Sequence, residues 1–255
     1  MRRLDAESAR AVAQWFAKDP VAAPAAFDIE VGGATVIRTK DEKCYVVLPK
    51  DPKREVRLVG ARASSDLLDI LVKLGPDRRL VMPTPLFTQL ADVADPRALQ
   101  VLHIFSTTNG VEPGSVPPPR PDLDVRQVLF SDLELWHRMP GEALFLSVDY
   151  GTPKDMLSKG VAVGAFNGGG LASLATASFG RIYAMVRVYT QPRYRRHGLA
   201  RHTLAMVVDL VSTRGLRPLL VVPPAVGQQM AGLAGGLGMK HVAEAAMVPR
   251  AQLTI

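Results

Sequence analysis

The sequence predicts an α/β (α+β) protein of two domains. Segments with helical apolar periodicity alternate with short apolar strands along the chain, and a proline-rich stretch divides it near its middle. The part after that stretch also repeats residue types of the part before it. At 255 residues, of which 47% are hydrophobic, the chain is long enough to bury two cores of ordinary size.

The proline-rich stretch is the predicted boundary. TTNGVEPGSVPPPRPD, from Thr107 to Asp122, contains five prolines and two glycines, which no regular helix or strand accommodates. We therefore expect an N-terminal domain over residues 1–106, a linker over residues 107–121 and a C-terminal domain over residues 122–255.

The first half alternates predicted helices and strands. An amphipathic pattern opens it, and short apolar runs between polar turns follow. The predicted helices are Ala6–Lys18, Ala63–Leu74 and Leu86–Val93, and the predicted strands are Ala34–Arg38, Cys44–Pro49, Leu80–Pro83 and Leu99–Ser106.

The second half predicts adjacent buried strands followed by a helix. The strands lie in LASLATASFGRIYAMVRVYT, after a glycine run from Gly168 to Gly170. We interpret that run as a hairpin turn, because a phosphate loop, the alternative, would precede a helix. From Gly198 the pattern becomes helical, and Gly215 supplies a C-terminal stop. The apolar face of this helix carries Ala200, Leu204, Val207, Val208 and Val211.

Internal repetition suggests that one domain was duplicated. At a fixed offset of 140 positions, eight residues of the first half recur without a gap, and helix lies over helix and strand over strand. Chance matching of common residue types is the alternative. The matched residues are Pro52, Asp69, Gly75, Leu80, Val81, Pro83, Gln89 and Ala91, which fall on Pro192, Asp209, Gly215, Leu220, Val221, Pro223, Gln229 and Ala231.

Composition excludes several kinds of site. Cys44 is the only cysteine, so an internal disulfide and a zinc site of several thiolates are excluded, and its apolar run predicts a buried thiol. His197 and His202 are five residues apart and do not share a helix face, so we expect no metal. No apolar run approaches the roughly 18 residues of a membrane helix, and MRRLDAESAR lacks an apolar signal segment. We expect a soluble, cytoplasmic protein with no membrane partner.

The positive charge is concentrated in one segment. The formal net charge is +7, and QPRYRRHGLARH carries Arg193, Arg195, Arg196 and Arg201. Nucleic acid is one possible partner for such a cluster. However, aromatic and basic residues do not alternate along a strand here, and no nucleic-acid motif is present. We therefore favour a smaller anion.

The basic segment has the features of a phosphate site. It joins a predicted strand to a predicted helix, and the first N–H groups of a helix lack intrahelical acceptors and lie at the positive end of its dipole. Gly198 would let a phosphate approach the backbone where a Cβ atom would obstruct it. A diphosphate is the ligand that this arrangement suits.

These residues resemble the GNAT superfamily of acyltransferases, and within it the FR47-like group. Arg195-x-x-Gly198-x-Ala200 is similar to the family's pyrophosphate loop, VYTQPRYR to the segment that leads into it, and LGMKHVAE to the family's LGF motif and last strand. The resemblance covers the C-terminal half. It implies two GNAT-like domains, each a mixed, mostly antiparallel central sheet flanked by helices.

The resemblance also implies a coenzyme A site. Backbone N–H groups from Arg196 to Arg201, a segment that includes His197 and Leu199, would hold the pyrophosphate. Val188 and Thr190 would pair with the pantetheine amides. The offset places Glu55, Leu58 and Gly60 opposite Arg195, Gly198 and Ala200, so the first copy is expected to be degenerate and to lack the anion site.

The catalytic groups are less well defined. The tyrosine that often protonates the leaving thiolate in this family is replaced by Ala234, the asparagine expected near Gly227 is missing, and no Asp or Glu occurs from Met156 to Val208. The candidate bases are therefore Asp149 and Glu142, the nearest carboxylates before the sheet, and a solvated or capping carboxylate is the alternative for each. Tyr189 is the candidate acid, with a packed aromatic as the alternative.

The expected function is transfer of an acyl group from acyl-CoA, such as acetyl-CoA, to an amine by direct attack. A non-catalytic acyl-CoA binding or sensing module is the alternative, since the family's acid and base are missing. The sequence leaves the acceptor and the oligomeric state open, a homodimer included.

Overall fold

The structure of the protein, a computed structural model, describes residues 2–31, 33–63, 65–111, 116 and 123–253. Contacts divide the chain into two compact units. The first unit comprises Met1–Ile104, Val222–Gly227 and Val242–Ile255, and the second comprises Phe105–Val221 and Gln228–His241. Most of the predicted linker over residues 107–121 lies outside the described residues, and the domain limits at 106 and 122 stay predictions.

The first half of the chain contains the predicted helices and strands, with bounds that differ by a few residues. Three elements were not predicted: the two-residue strand β1, the alanine-rich helix α2 and the strand β4. The elements are β1 (Arg2–Arg3), α1 (Ala6–Phe16), α2 (Ala23–Glu30), β2 (Thr35–Arg38), β3 (Cys44–Leu48), β4 (Val56–Gly60), α3 (Ser65–Val72), β5 (Arg79–Pro83), α4 (Thr84–Gln89) and β6 (Gln100–Ser106).

The second half has a similar order of elements. They are β7 (Asp124–Gln127), α5 (Leu133–His137), α6 (Pro153–Lys159), β8 (Val161–Asn167), β9 (Gly170–Phe179), β10 (Tyr183–Thr190), α7 (Leu199–Ser212), β11 (Arg217–Val222), α8 (Gly227–Gly235) and β12 (Lys240–Pro249). A 3-10 helix over Gly141–Ser147 lies between α5 and α6. The glycine run after Asn167 forms the β8–β9 turn, as predicted.

The sheet of the first unit has the strand order β1-β2-β3-β4-β5-β12. Its pairs are antiparallel except for β4 and β5, which run parallel. The last strand of the chain thus pairs within this sheet, where Ala245–Pro249 of β12 lie antiparallel to β5. Contacts therefore group the C-terminal residues from Val242 onward with the first unit, although in sequence they follow the second half.

The sheet of the second unit has the order β11-β10-β9-β8-β7. Here too the pairs are antiparallel except for one parallel pair, β10 with β11. Ser106, from the end of β6, donates a hydrogen bond from its hydroxyl to the Pro218 carbonyl at 2.8 Å. Each unit is a mixed, mostly antiparallel sheet flanked by helices, which confirms the predicted fold class.

The two sheets show where the gap-free repeat is wrong. Leu80 pairs with Val56 in the first unit, and its offset partner Leu220 pairs with Val186 in the second. Val56 therefore corresponds to Val186, whereas the offset of 140 would place it on Arg196. Helices α3 and α7 and strands β5 and β11 keep the offset, but the connection before the helix is longer in the second half.

This correction changes the expected position of the lost anion site. Leu58 and Gly60 lie within strand β4, so they are not the counterparts of Gly198 and Ala200. Glu55 lies just before that strand, where its carboxylate pairs with Arg79 at 2.9 Å. The segment that follows β4, from Ala61 onward, is the counterpart of the basic segment.

Cys44 confirms the prediction of a buried structural thiol. It lies in the core of the first unit, with no exposed surface, among apolar side chains that include Val46 and Leu67. Burial raises the pKa of the Cys44 thiol to about 12, so the thiolate is not populated near neutral pH. In the described part of the chain, no helix has the length and apolarity needed to cross a membrane.

In the first unit, the side chain of Gln89 forms hydrogen bonds with backbone groups between β4 and α3. The Ala63 N–H donates to Gln89 Oε1 at 3.0 Å, and Gln89 Nε2 donates to the Ala61 carbonyl at 2.9 Å. A second bond from Nε2 reaches the Pro85 carbonyl in α4. The connection is therefore closed by a neutral amide of the same chain.

We predict that Gln89→Ala lowers the free energy of unfolding by about 1 kcal/mol, because an exposed set of neutral hydrogen bonds contributes about that much net stability. Amide exchange at Ala63 should accelerate at the same time, as its acceptor is removed. Thr88→Ala, a neighbouring exposed position on α4, is the control for helix propensity. Unchanged Ala63 exchange in Gln89→Ala would contradict the closed connection.

Candidate active site

The parallel pair in the second unit separates before β10 ends. Within the described residues, the β10–β11 register runs from Tyr183 opposite Arg217 to Val186 opposite Leu220. Strand β10 continues to Thr190, still paired with β9 on its other side. Its last backbone groups on the β11 side are therefore open to an extended ligand, which could bind as an added strand does.

The segment between β10 and α7 is anchored at its start. The Gln191 N–H donates to the Ala172 carbonyl at 3.0 Å, and Gln191 Nε2 donates to the Leu171 carbonyl. Pro192–Tyr194 form a short 3-10 turn. Arg195 Nε then donates to the Thr190 carbonyl at 3.2 Å, which folds its side chain back on the strand. The turn is thus held by β9 and β10 before the helix begins.

Two residues of this segment have left-handed backbone conformations. Arg196 has φ 67° and Gly198 has φ 77°. A left-handed conformation at a non-glycine residue costs about 1 kcal/mol or more, and such residues concentrate at functional sites. Gly198 is the N-cap of α7, a helix of 14 residues. The result is a concave run of backbone N–H groups at a helix N-terminus, which suits an anion.

The predicted phosphate-binding residues are accessible as a group. Arg195, Arg196, His197 and Gly198 are exposed, and Ala200 is partly buried. Leu199 is buried against Ala165 and Ala172, which fixes the first turn of the helix on the sheet. Arg201 directs its guanidinium to the Gly236 carbonyl, 3.1 Å from Nη2. The side chain of Arg201 is therefore engaged with the end of α8, and its backbone N–H donates to the Gly198 carbonyl at 2.9 Å.

A hydroxyl network joins the end of β10 to α7. Ser173 Oγ lies 2.8 Å from Thr190 Oγ1 and 3.4 Å from Thr203 Oγ1. Thr203 Oγ1 in turn donates to the Leu199 carbonyl at 3.1 Å. Ser173 and Thr203 have no exposed surface. Thr190 thus faces α7, and Val188, two residues earlier, lies on the same face of the strand.

The opposite face of β10 carries the candidate acid. Tyr189 OH donates to Glu142 Oε2 at 3.2 Å, and the Phe145 ring meets the Tyr189 ring edge-on at 6.5 Å between centroids. Tyr189 is buried with 8% of its surface exposed. Burial, followed by the nearby Glu142 carboxylate, raises the pKa of Tyr189 above its ordinary value. The phenol therefore stays protonated at neutral pH, beside a carboxylate that can accept a proton.

Known structures provide a comparison for this arrangement. No family model and no curated protein matches the sequence. Many solved structures are similar to this chain, among them three that cover nearly all of it. A GCN5-related N-acetyltransferase-like protein from Streptococcus suis 89/1591 is 17% identical, covers 95% of this chain and 98% of its own, and has a TM-score of 0.69. A GCN5-related N-acetyltransferase from Sphaerobacter thermophilus is 12% identical and has a TM-score of 0.62. The match covers 96% of this chain and 93% of that protein.

The third structure is a tandem GNAT protein from the clavulanic acid biosynthesis pathway, determined without AcCoA. It is 13% identical, covers 97% of each chain and has a TM-score of 0.56. The chain has the tandem GNAT fold. These identities establish the fold alone, and assignment to the FR47-like group stays a prediction.

Within the GNAT fold, Asp149 does not have the surroundings of a base. Both oxygens of its buried carboxylate accept from the Arg187 guanidinium, Oδ1 at 3.0 Å from Nη2 and Oδ2 from Nη1. The first unit has a similar pair, because Arg57 corresponds to Arg187 in strand register and donates to Asp28 at 3.1 Å. The first unit has this arginine–aspartate pair although it lacks the basic segment. We therefore interpret the pair of Arg187 and Asp149 as structural.

Sequence reasoning missed Arg187 and the contact between Glu142 and Tyr189. The sequence does indicate a role for Arg187, because an arginine within the apolar strand YAMVRVYT needs a buried acidic residue as its partner. The contact between Glu142 and Tyr189 had none, because 47 positions separate the two residues. Ala234, at the position of the family's usual tyrosine, is buried in α8 and supplies no hydroxyl.

We predict that Asp149→Asn lowers the free energy of unfolding by about 3 kcal/mol, because it leaves a largely buried guanidinium without its counter-ion. Urea unfolding measures the loss. Asp155→Asn, an exposed carboxylate of the same unit paired with Lys159, is the control and should change stability by less than about 1 kcal/mol. A stable but inactive Asp149→Asn protein would instead support the base role.

Proposed function

We propose that the second unit is an acyl-CoA dependent N-acyltransferase that transfers an acyl group, with acetyl-CoA as the donor to test first, to an amine. The observation that carries this proposal is the basic segment at the start of α7. Its two left-handed residues, Arg196 and Gly198, turn backbone N–H groups outward next to a strand whose end is open. Few ligands other than a diphosphate joined to an extended amide chain would use both features.

The bound coenzyme would be divided between the two elements. The N–H groups from Arg196 to Ala200 would hold the pyrophosphate, the exposed Arg195 would add positive charge beside it, and the exposed His197 ring could form a hydrogen bond to it. The pantetheine amides would pair with β10 at Val188 and Thr190. The thioester would then lie at the open edge of β10, where both faces of the strand can be reached.

The reaction proceeds by direct attack in a ternary complex. The amine nitrogen forms a bond to the thioester carbon, and the carbon–sulfur bond breaks. Glu142 accepts the proton that the nitrogen loses, and Tyr189 OH supplies a proton to the departing sulfur. Their direct hydrogen bond suits this exchange, because Glu142 in the acid form could return a proton to the tyrosinate. No covalent enzyme intermediate is required, consistent with the buried Cys44.

A non-catalytic acyl-CoA sensor is the second candidate. Ala234 at the position of the usual tyrosine favours it, as does the engagement of Asp149 by Arg187. The two functions share the coenzyme site and differ in the reaction. Binding of acetyl-CoA without release of thiol across a broad panel of amines would favour the sensor.

We predict that Gly198→Glu abolishes acetyl-CoA binding, because the new carboxylate lies at the predicted pyrophosphate position. Thermal stabilisation measures binding, and acetyl-CoA at about 100 times its Kd should stabilise the natural protein by roughly 2.7 kcal/mol. Gly215→Glu is a matched control, since Gly215 has φ 71° at the other end of α7 and open space around it. It carries the same backbone strain and charge away from the site.

If Gly198→Glu binds acetyl-CoA as tightly as Gly215→Glu does, the basic segment is not the coenzyme site. If neither the natural protein nor the control is stabilised by any acyl-CoA, both candidate functions fail.

We predict that Tyr189→Phe lowers kcat about 100-fold and leaves the KM for acetyl-CoA within a factor of two to three, because the hydroxyl acts on the leaving sulfur. The raised pKa of Tyr189 means that its acid form persists above pH 10, so the alkaline fall in kcat should lie above that value and disappear in the variant. Tyr183→Phe, at the opposite end of β10, is the control. An unchanged kcat in Tyr189→Phe would remove Tyr189 from the mechanism.

A further inference from the structure

A cavity of about 740 Å³ adjoins the end of β10 in the second unit. It lies between α5, the β8–β9 turn and the start of the basic segment. A volume in this range suits a small molecule. Its lining does not include the left-handed Arg196 or Gly198, so it is distinct from the predicted pyrophosphate position.

The cavity has two cationic side chains and no acidic one among the described residues that line it. Arg138 and Arg193 both contribute to its wall. Arg138 contacts Glu134 at 3.2 Å, but both side chains are more than 70% exposed, so this pair is weak. Arg193 places its guanidinium over the Tyr194 ring, 4.8 Å from the centroid. Both arginines can therefore turn to an anionic ligand.

The glycine turn opens the cavity on its third side. Gly168 and Gly169 have φ values of 54° and 87°, and no other atom lies within 4 Å of where their Cβ atoms would be. The missing side chains leave room for a ligand beside the backbone. The glycine run, which the coenzyme site does not use, thus forms part of a second binding surface.

Residues next to the candidate acid and base line the cavity, although Glu142 and Tyr189 themselves do not. Leu171 lines it and belongs to the same apolar cluster as Tyr189, and Leu135 packs against that cluster. Pro140 and Gln191 also line it, each two residues from a member of the pair, Pro140 from Glu142 and Gln191 from Tyr189. A small molecule in the cavity could therefore extend one end toward Glu142 and Tyr189.

We propose that this cavity binds an anionic group of the acceptor, so that the acceptor is a small amine that also carries a carboxylate or phosphate. The amine would lie near Glu142 and Tyr189, and the anion between Arg138 and Arg193, where the planar guanidinium forms paired hydrogen bonds to either oxyanion. This inference rests on the proposed acyltransferase function and narrows its acceptor to an amino acid or an aminoalkyl phosphate.

Acceptor pairs that differ only in the anion test this inference. Phenylalanine with phenethylamine, lysine with cadaverine, and phosphoethanolamine with ethanolamine would be compared by thiol release from acetyl-CoA. We expect kcat/KM to be at least about 10-fold higher for the anionic member of at least one pair, since a charge-assisted contact has about that value. The pair in which kcat/KM differs shows whether the cavity binds a carboxylate or a phosphate.

The arginine variants locate the effect. In Arg138→Gln and in Arg193→Gln, the ratio of kcat/KM for the two members of the responding pair should fall toward one. Arg217→Gln is the matched control, because Arg217 is exposed and lies at the opposite end of β10, opposite Tyr183. It should keep the full ratio. Equal loss in the control, or weaker acetyl-CoA binding as the main effect of Arg138→Gln, would overturn the inference.

A binding measurement separates this inference from the proposed function. N-acetylated amino acids, N-acetylphosphoethanolamine and N-acetylated amines would be tested for thermal stabilisation of the protein with coenzyme A present, which requires no turnover. Stabilisation by an anionic compound alone, reduced about 10-fold in apparent affinity by Arg138→Gln, supports the cavity even if no amine is acylated. If kcat/KM and thermal stabilisation are the same with and without the anionic group, this inference is wrong. The proposed transferase function would not be affected by that result.

Discussion

The buried ion pair between Arg187 and Asp149 is the interaction on which the candidate site depends. An arginine in an apolar strand is tolerated only if an acid meets it there, so β10 and the segment that carries Asp149 must keep one relative position. Tyr189 lies on β10 with Arg187, and Glu142 lies on the 3-10 helix Gly141–Ser147, which ends two residues before Asp149. The ion pair therefore helps to hold the Tyr189 hydroxyl and the Glu142 carboxylate at their 3.2 Å separation, and the first unit has a similar pair in Arg57 and Asp28.

The two units also differ in how the backbone groups between a parallel strand and the following helix are hydrogen-bonded. Each has a parallel strand followed by a helix, and the backbone groups between them need partners. In the first unit, Gln89 supplies both an acceptor and a donor to Ala63 and Ala61. In the second, the connection is longer, has left-handed residues at Arg196 and Gly198, and is exposed from Arg195 to Gly198. A neutral amide of the same chain thus closes the first connection, and the second is accessible to solvent and to a ligand.

Features set by neighbouring residues could be predicted from the sequence, and those set by distant contacts could not. Gly198 and the periodicity of α7 are local, so the basic segment was found where the structure has it. Strand β4 was missed although EVRL alternates polar and apolar residues, and the gap-free offset then placed Glu55, Leu58 and Gly60 opposite the basic segment. Strand β12 pairs with β5, which is far away in sequence. No local sequence pattern predicts this pairing.

Alternation along β10 imposes a last constraint on the chemistry. Successive side chains of a strand point to opposite faces, so Thr190 lies with α7 whereas Arg187 and Tyr189 lie with the segment that carries Glu142. A coenzyme held by α7 and an acceptor held near Glu142 would thus be separated by the sheet wherever β10 is paired on both sides. They can meet only past Val186, where β11 no longer pairs with β10. In the proposed reaction, the reacting carbon would therefore lie at the open edge of this strand.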